Sequence, residues 1–153
     1  MQGSVMGLFA AKQGGVPKPS VNSLHVLEQG CAGDKQNDTK HHGGPNRAVC
    51  IFSIETLKQL NSEGHPIFPG SVGENLLVQD IPWDKVGIGT QFHFEHVILE
   101  VTSDAPPCKT IKASFLNEQF KRISVKIHPD STRWYAKVLQ SGELVVGEKV
   151  TLN

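Results

Sequence analysis

Residues 91–102 read QFHFEHVILEVT, and this stretch decides the fold class predicted from the sequence. It is rich in aromatic and β-branched residues, which pack well on a pleated, half-buried surface. We therefore predict a strand over Gln91–Thr102. The preceding PWDKVGIGTQF carries the glycines of a turn, so the strand is expected to begin after it.

Other short segments of this strand-forming kind occur along the chain. Fifteen glycines and nine prolines separate the segments and indicate many turns. Short strands are predicted at Val5–Ala10, Ser23–Leu27, Ala48–Ser53 and Asn75–Val78, with a hairpin-like end formed by Trp134–Gln140, Glu143–Val146 and Lys149–Leu152. Helices are predicted at Ile54–Ser62, where apolar residues have helical spacing, and at Ser114–Lys121. The fold class is therefore mostly β, a barrel or a sandwich with a few short helices.

Length and charge bound the function. The chain has 153 residues, which predicts a single domain over 1–153. Lys plus Arg and Asp plus Glu both number 15, a balance that argues against bulk nucleic-acid or membrane binding but allows a local basic pocket. Three cysteines and no signal-like or transmembrane N-terminus predict reduced thiols and a cytoplasmic location.

A polar loop over residues 33–49 reads GDKQNDTKHHGGPNRAV. Asp34, Asp38 and His42 are spaced by four, as on one face of a helix, but the following Gly-Gly-Pro argues against a continuous helix. Glycines let backbone N–H groups approach an anion, and an arginine binds phosphate or carboxylate bidentately. An anion pocket is one interpretation, and an Asx-rich turn with surface histidines is the other. The candidate binding residues of this loop are Asp34, His42, Gly43, Gly44 and Arg47.

A second glycine turn lies in PGSVGENLLV, residues 69–78. Glu74 and Asn75 stand between the turn and a predicted strand, where they can point a carboxylate and an amide into a cleft. The alternative is a hydrogen-bonded turn that fixes strand register.

The third candidate is Cys108 in TSDAPPCKT, residues 102–110. Two prolines stiffen the approach to this cysteine and remove backbone donors. Lys109 and Lys112 would lower the pKa of the thiol if they are near it in space. The alternative is a partly buried, inert thiol. Cys50, inside AVCIFS, is predicted to be a small core residue, Cys31 fits either role, and the cysteine spacing matches no zinc module.

The order of these motifs resembles one family. The series G-D-x-Q-x-D…H-G-G-P-x-R-A-V, P-G-x-x-G-E-N-L, I-G-T, P-C-K and RWYAKVLQSGELVVGEKV resembles the molybdenum cofactor sulfurase C-terminal (MOSC) domain family, above all its small stand-alone bacterial members. The resemblance covers about residues 5–152. It implies a β-rich, barrel-like fold with a cleft for the molybdenum cofactor, in which molybdopterin carries the metal.

The resemblance also implies roles for the candidates. Cys108 matches the functional cysteine of the family, which ligates molybdenum or carries sulfur. No segment is long enough to supply the pyridoxal-phosphate domain of eukaryotic sulfurases. The family's amidoxime-reducing members imply an oxidoreductase that takes N-hydroxylated small molecules and needs an electron-donor protein. The alternative is a sulfur or cofactor carrier that uses the same cysteine. A third possibility is a binding module without catalysis, because Ser103–Ala105 stands where family members often have an arginine.

Overall fold

The computed structural model of the chain describes residues 2–35 and 43–153. These residues form mostly β-strands with short helices. The strands are β1 Gln2–Phe9, β2 Ser20–Val21, β3 Ser23–Leu27, β4 Gly30–Cys31, β5 Val49–Ser53, β6 Leu76–Gln79, β7 Gln91–His93, β8 Ile98–Ala105, β9 Arg133–Gln140, β10 Gly142–Val145 and β11 Lys149–Leu152. The α-helix is α1 Ile54–Ser62, and 3₁₀ helices cover Pro45–Arg47, Trp83–Lys85, Lys109–Ser114, Leu116–Glu118, Phe120–Ile123 and Pro129–Ser131.

Seven strands close into a barrel. The order is β11-β7-β8-β9-β5-β6-β1, and β1 pairs again with β11. Strands β5 and β6 run parallel, and the other neighbours in the barrel run antiparallel. Closure leaves these strands without a free edge between them. The prediction of a mostly β, barrel-like fold is confirmed.

The core divides between the inside of the barrel and one outer layer. The interior cluster includes Phe92, Leu99 and Ile51, none of which is exposed. A second cluster packs α1 and the 3₁₀ segments against the outside of the barrel. Helix α1 begins where the side chain of Ser53 accepts a hydrogen bond from the Thr56 amide, and its buried positions include Leu57 and Leu60. The predicted boundaries of this helix are confirmed.

Two predicted elements are wrong. Gln91–Thr102 is not one strand, because a turn closed by the Phe94 N–H and the Val97 carbonyl (2.8 Å) separates β7 from β8. The chain end is not a local hairpin, because β10 pairs with β3 while β11 pairs with β1 and β7. Barrel closure needs β11 between two distant strands, and local sequence does not show this.

The predicted helix Ser114–Lys121 is also wrong. This part of the chain forms short 3₁₀ helices interrupted by Asn117 and Glu118, whose positive φ angles of 52° and 58° break helical geometry. The segment of 3₁₀ helices from 109 to 131 packs on the outside of the barrel. It follows residues 106–108, which connect β8 to it and are called the cysteine loop below. In the described residues, no helix is long and apolar enough to cross a membrane.

Candidate functional site

A cavity of about 150 Å³ opens beside the end of β8. Three predicted site residues line it: Arg47, Asn75 and Cys108. They come from separate stretches of the chain, and the barrel brings them together. The apolar floor includes Cys50 and Tyr135, which form a small buried cluster with Ala105 across three adjacent strands.

Cys108 lies where β8 has ended and the first 3₁₀ helix of the outer layer begins. Its thiol is partly exposed. The Cys108 Sγ atom lies 2.8 Å from the Thr110 hydroxyl, which also lines the cavity. Lys112 forms an ion pair with Glu118 at 3.4 Å, so this lysine has an acidic partner other than the thiol. Because its thiol is partly exposed and lines the cavity, Cys108 is reachable from the cavity.

Asn75 joins three segments behind the cavity. Its Oδ1 accepts a hydrogen bond from the Cys50 N–H (3.1 Å), and its Nδ2 donates to the Phe9 carbonyl (3.2 Å) and to Asp34 (2.8 Å). The residue is 2% exposed. A buried amide with these bonds fixes the position of the strands around it, so the register interpretation is compatible with Asn75 also reaching the cavity.

Asp34 is bound within the protein. Its Oδ1 accepts from the Ala11 N–H (2.8 Å), and its Oδ2 accepts from the Lys18 ammonium (2.7 Å) as well as from Asn75. Both partners of the Lys18–Asp34 ion pair are nearly buried, with side chains 5% and 3% exposed. Asp34 thus orients Lys18, which lines the cavity.

Glu74 lies outside the cavity lining and is fully buried. Its carboxylate accepts from the N–H groups of Gly70 (3.0 Å) and Val72 (3.2 Å). Burial raises the pKa of this carboxyl above its ordinary value, and the two N–H groups and the nearby Arg133 oppose that rise. Its position is that of a residue that shapes the 69–75 turn.

The Gly43–Gly44 turn at the end of the polar loop leads to the cavity through Arg47. Gly43 and Gly44 have φ angles of 78° and 81°, a region that favours glycine. The Arg47 N–H donates to the Gly44 carbonyl (3.0 Å), which starts the short 3₁₀ helix that carries Arg47 to the cavity. His42 and Asp38 lie outside the described residues, so the prediction for His42 stays a prediction.

Sequence reasoning missed three further cations of the cavity. Lys18, Lys35 and Arg133 line it together with Arg47. Lys18 lies within GGVPKPS, residues 14–20, Lys35 follows Asp34, and Arg133 begins β9. The signal was weak, because none of these residues stands in a basic cluster along the sequence. Their convergence makes a cationic cavity in a chain of zero formal net charge.

Acidic groups deeper in the wall hold their protons. Burial raises the pKa of the Cys50 thiol, which lines the cavity. Burial also raises the pKa of the Tyr135 hydroxyl, with Arg133 and Arg47 acting in the opposite direction. Cys50 and Tyr135 are therefore neutral at physiological pH, which leaves the positive charge of the cavity uncompensated by them.

Comparison with known proteins places the chain in a family. The model of the MOSC domain matches residues 38–151.

The chain belongs to the MOSC domain family.

The chain is also similar to curated bacterial proteins and to a solved structure. The chain is 26% identical to the uncharacterized protein YflK of Bacillus subtilis (strain 168) over 137 residues, which are 88% of this chain and 61% of YflK. It is 25% identical to protein YiiM of Escherichia coli (strain K12) over 118 residues, 74% of this chain and 53% of YiiM. The chain therefore spans less than two thirds of both relatives. A crystal structure of YuaD from Bacillus subtilis superimposes with a TM-score of 0.76 at 18% identity, covering 99% of this chain and 96% of YuaD. This likeness shows the fold.

The MOSC family is associated with the molybdenum cofactor, and the residues present fit one end of that group. Across residues 2–35 and 43–153, no three His, Cys, Asp or Glu side chains are grouped to hold a metal ion. Molybdenum in this cofactor takes most of its ligands from dithiolene sulfurs and oxo groups, so one protein thiolate suffices. Cys108 is a soft donor in the cavity, and the four cations suit the cofactor's phosphate. The Arg133 Nε is also buried without a hydrogen-bond partner.

Proposed function

We propose that this protein binds the molybdenum cofactor in the cationic cavity and reduces N-hydroxylated compounds of the hydroxylaminopurine or amidoxime type. The observation that carries the proposal is the position of Cys108. Its partly exposed thiol lies in the wall of a cavity that also holds Lys18, Lys35, Arg47 and Arg133. A soft metal ligand and an anion-binding surface are the two things that this cofactor requires of a protein.

The residues divide the binding between them. Cys108 would ligate the metal, and Arg47 would hold the phosphate in a charge-assisted bond. Asn75 and Asp34 would act mainly by placing the wall and Lys18, because both are engaged in hydrogen bonds within the protein. The cavity of about 150 Å³ is below the range of pockets that enclose a whole drug-sized ligand. It therefore suits one end of the cofactor.

The proposed reaction is a two-electron reduction. Reduction of an N-hydroxylated compound takes two electrons and two protons and releases water and the corresponding amine or amidine. When bound, the cofactor supplies this two-electron oxygen-transfer chemistry. We expect the electrons to come from a separate donor protein, and the organic substrate to be a small molecule.

Replacing Cys108 with serine is the test. Serine has nearly the same shape but offers a harder oxygen ligand. Wild type and Cys108→Ser are loaded with cofactor in parallel, pterin content is measured by fluorescence after oxidation, and reduction is assayed with an artificial electron donor. We expect similar pterin content and a large loss of activity per bound cofactor in the variant.

Cys31→Ser is the matched control. Cys31 is buried, donates to the Ala48 carbonyl (3.5 Å) and is not among the residues that line the cavity. This variant should keep its activity per bound cofactor. Full activity per bound cofactor in Cys108→Ser would contradict the catalytic assignment.

A carrier function is the second candidate, and the exposure of Cys108 favours it. A thiolate at an open cavity can take the outer sulfur of a donor protein's persulfide, with the donor leaving as a thiol, or it can pass a cofactor to another protein. Cofactor binding by the wild type without any reductase activity, or cyanide-labile sulfur that Cys108→Ser lacks, would replace the enzyme proposal with this one.

A further inference from the structure

Arg133 has an unusual environment for a buried cation. It is 4% exposed and lies at the first position of β9, in the cavity wall. In the part of the chain that the structure describes, no carboxylate lies within ion-pair distance of it. Its guanidinium instead donates from Nη1 to the Val72 carbonyl (2.5 Å) and from Nη2 to the carbonyls of Ala105 and Pro106 (3.2 Å each). A buried charge whose hydrogen bonds all go to carbonyls is costly, so its position calls for an explanation.

The three carbonyls lie at two places in the chain. Val72 lies in the 69–75 turn, Ala105 ends β8, and Pro106 begins the cysteine loop. Pro106 and Pro107 have no N–H, so this loop cannot anchor itself through backbone donors there. The Arg133 fork supplies the donors from outside. One planar side chain thereby joins the two loops that flank the cavity.

The first loop is held from its other side as well. Glu74 binds the Val72 N–H (3.2 Å), while Arg133 binds the Val72 carbonyl. Glu74 is fully buried, and its charge interacts favourably with that of Arg133. A continuous series of contacts therefore runs from Glu74 through Val72 and Arg133 to Pro106, two residues before Cys108.

We propose that Arg133 is a positioning residue for Cys108. Its guanidinium fixes the cysteine loop against the 69–75 turn so that the thiol keeps its place in the cavity wall. The inference rests on the proposed function of Cys108 as the metal ligand. Lysine would keep the charge but lacks the planar guanidinium, whose separate Nη1 and Nη2 groups donate to the 69–75 turn and to the cysteine loop at the same time.

The test uses the purified protein without cofactor, so its result does not depend on the reaction. Hydrogen exchange of the amides of residues 108–112 and the alkylation rate of Cys108 are measured in wild type and Arg133→Lys. Losing the fork removes at least one hydrogen bond that holds the cysteine loop, so the exchange rate of the amides of residues 108–112 should rise about tenfold. Alkylation of Cys108 should rise with it, while amides in the middle of β8 and β9 keep wild-type exchange.

Arg122→Lys is the matched control. Arg122 makes the same kind of fork, to both oxygens of Glu63 (2.8 and 2.9 Å), on another part of the outer layer. This variant should leave exchange at residues 108–112 unchanged. Wild-type exchange at the loop in Arg133→Lys would overturn the proposal, and so would a rise of equal size throughout the barrel.

A second variant keeps the test open if Arg133→Lys does not fold. Glu74→Gln leaves Arg133 in place and weakens the hold on the Val72 N–H. It should raise exchange at residues 108–112, more than thirty positions away in sequence. Unchanged exchange there would overturn the proposed series of contacts. Failure of the proposed reductase function would instead appear in the loaded protein, with these exchange results intact.

Discussion

At the scale of single residues, the three cysteines differ in surroundings more than in sequence context. Cys108 is partly exposed in the cavity wall, whereas Cys50 and Cys31 are only 5% and 7% exposed. Burial raises the pKa of both buried thiols, that of Cys31 to about 12 against an ordinary value of 9.0. The thiolate is the nucleophile, so this rise lowers the reactive fraction of Cys31 at neutral pH.

We therefore predict that Cys108 is alkylated first. Native protein treated with iodoacetamide at pH 7.5 should carry the label at Cys108 before either other thiol, as measured by peptide mass spectrometry. In urea, which exposes all three, the rates should become similar. Equal native rates at Cys50 and Cys108 would contradict both the burial of Cys50 and the role assigned to Cys108.

At the scale of elements, the 69–75 turn depends on a buried carboxylate rather than on its glycines alone. Gly70 and Gly73 supply φ angles of 87° and 80°, and a Cβ at Gly70 would lie 2.3 Å from the Lys18 carbonyl. Glu74 then ties the turn together through the N–H groups of Gly70 and Val72. The turn needs both the open backbone and the two hydrogen bonds.

Glu74→Gln tests this turn. Glutamine has one acceptor oxygen, so one of the two N–H groups would face an NH₂ group, at a cost of about 1–3 kcal/mol. The folded-state pKa of Glu74 is raised above its ordinary 4.5, so the folded protein binds this proton more tightly than the unfolded chain does. Its contribution to stability is therefore fully present below pH 4.5 and declines as pH rises through the raised pKa.

Urea unfolding between pH 4 and 7.5 measures the effect. The stability advantage of wild type over Glu74→Gln should shrink as pH rises, since glutamine does not titrate. Glu28→Gln, at an exposed position, should show no such pH-dependent difference. An advantage that grows with pH would mean that the N–H groups and Arg133, rather than burial, dominate the pKa of Glu74.

At the scale of the whole molecule, a neutral chain concentrates positive charge in one cavity. The formal net charge is zero, yet four cations line the cavity, and one of these, Lys18, is paired with Asp34. Buried and partly buried charges are screened by salt less than exposed ones. The concentration of cationic side chains at this place thus follows from the fold and not from composition.

Arg47→Ala is the corresponding prediction. Arg47 is partly exposed on a three-residue 3₁₀ helix, so its removal should leave thermal stability nearly unchanged. A lost charge-assisted bond to phosphate is worth about 1.5–3 kcal/mol, or roughly ten- to a hundredfold in cofactor affinity. Pterin binding and the melting temperature measure the two effects.

Lys149→Ala removes the same charge from the exposed face of β11 and should leave cofactor affinity unchanged. If Arg47→Ala binds the pterin cofactor as well as wild type while its melting temperature falls steeply, Arg47 is structural and the anion site lies elsewhere.

The elements that could be predicted from the sequence are those stabilised by residues close together in the chain. Helix α1 follows from apolar residues at helical spacing, and β3 follows from a short run between turn residues. The order of motifs also pointed to the family and to Arg47, Asn75 and Cys108, which line one cavity. These signals act over a few residues or are shared with relatives, so no tertiary contact is needed to see them.

Which distant segments pair with one another depends on the tertiary structure and is not visible in the local sequence. The break within residues 91–102, the pairing of β11 with β1 and β7, and the position of Arg133 all depend on segments far apart in the chain. Arg133 stands 61 positions from Val72, and no local pattern specifies that contact. Barrel closure brings such residues together because it satisfies backbone hydrogen bonds and buries apolar side chains over the whole chain at once. The convergence of cations around Cys108 is a result of that closure.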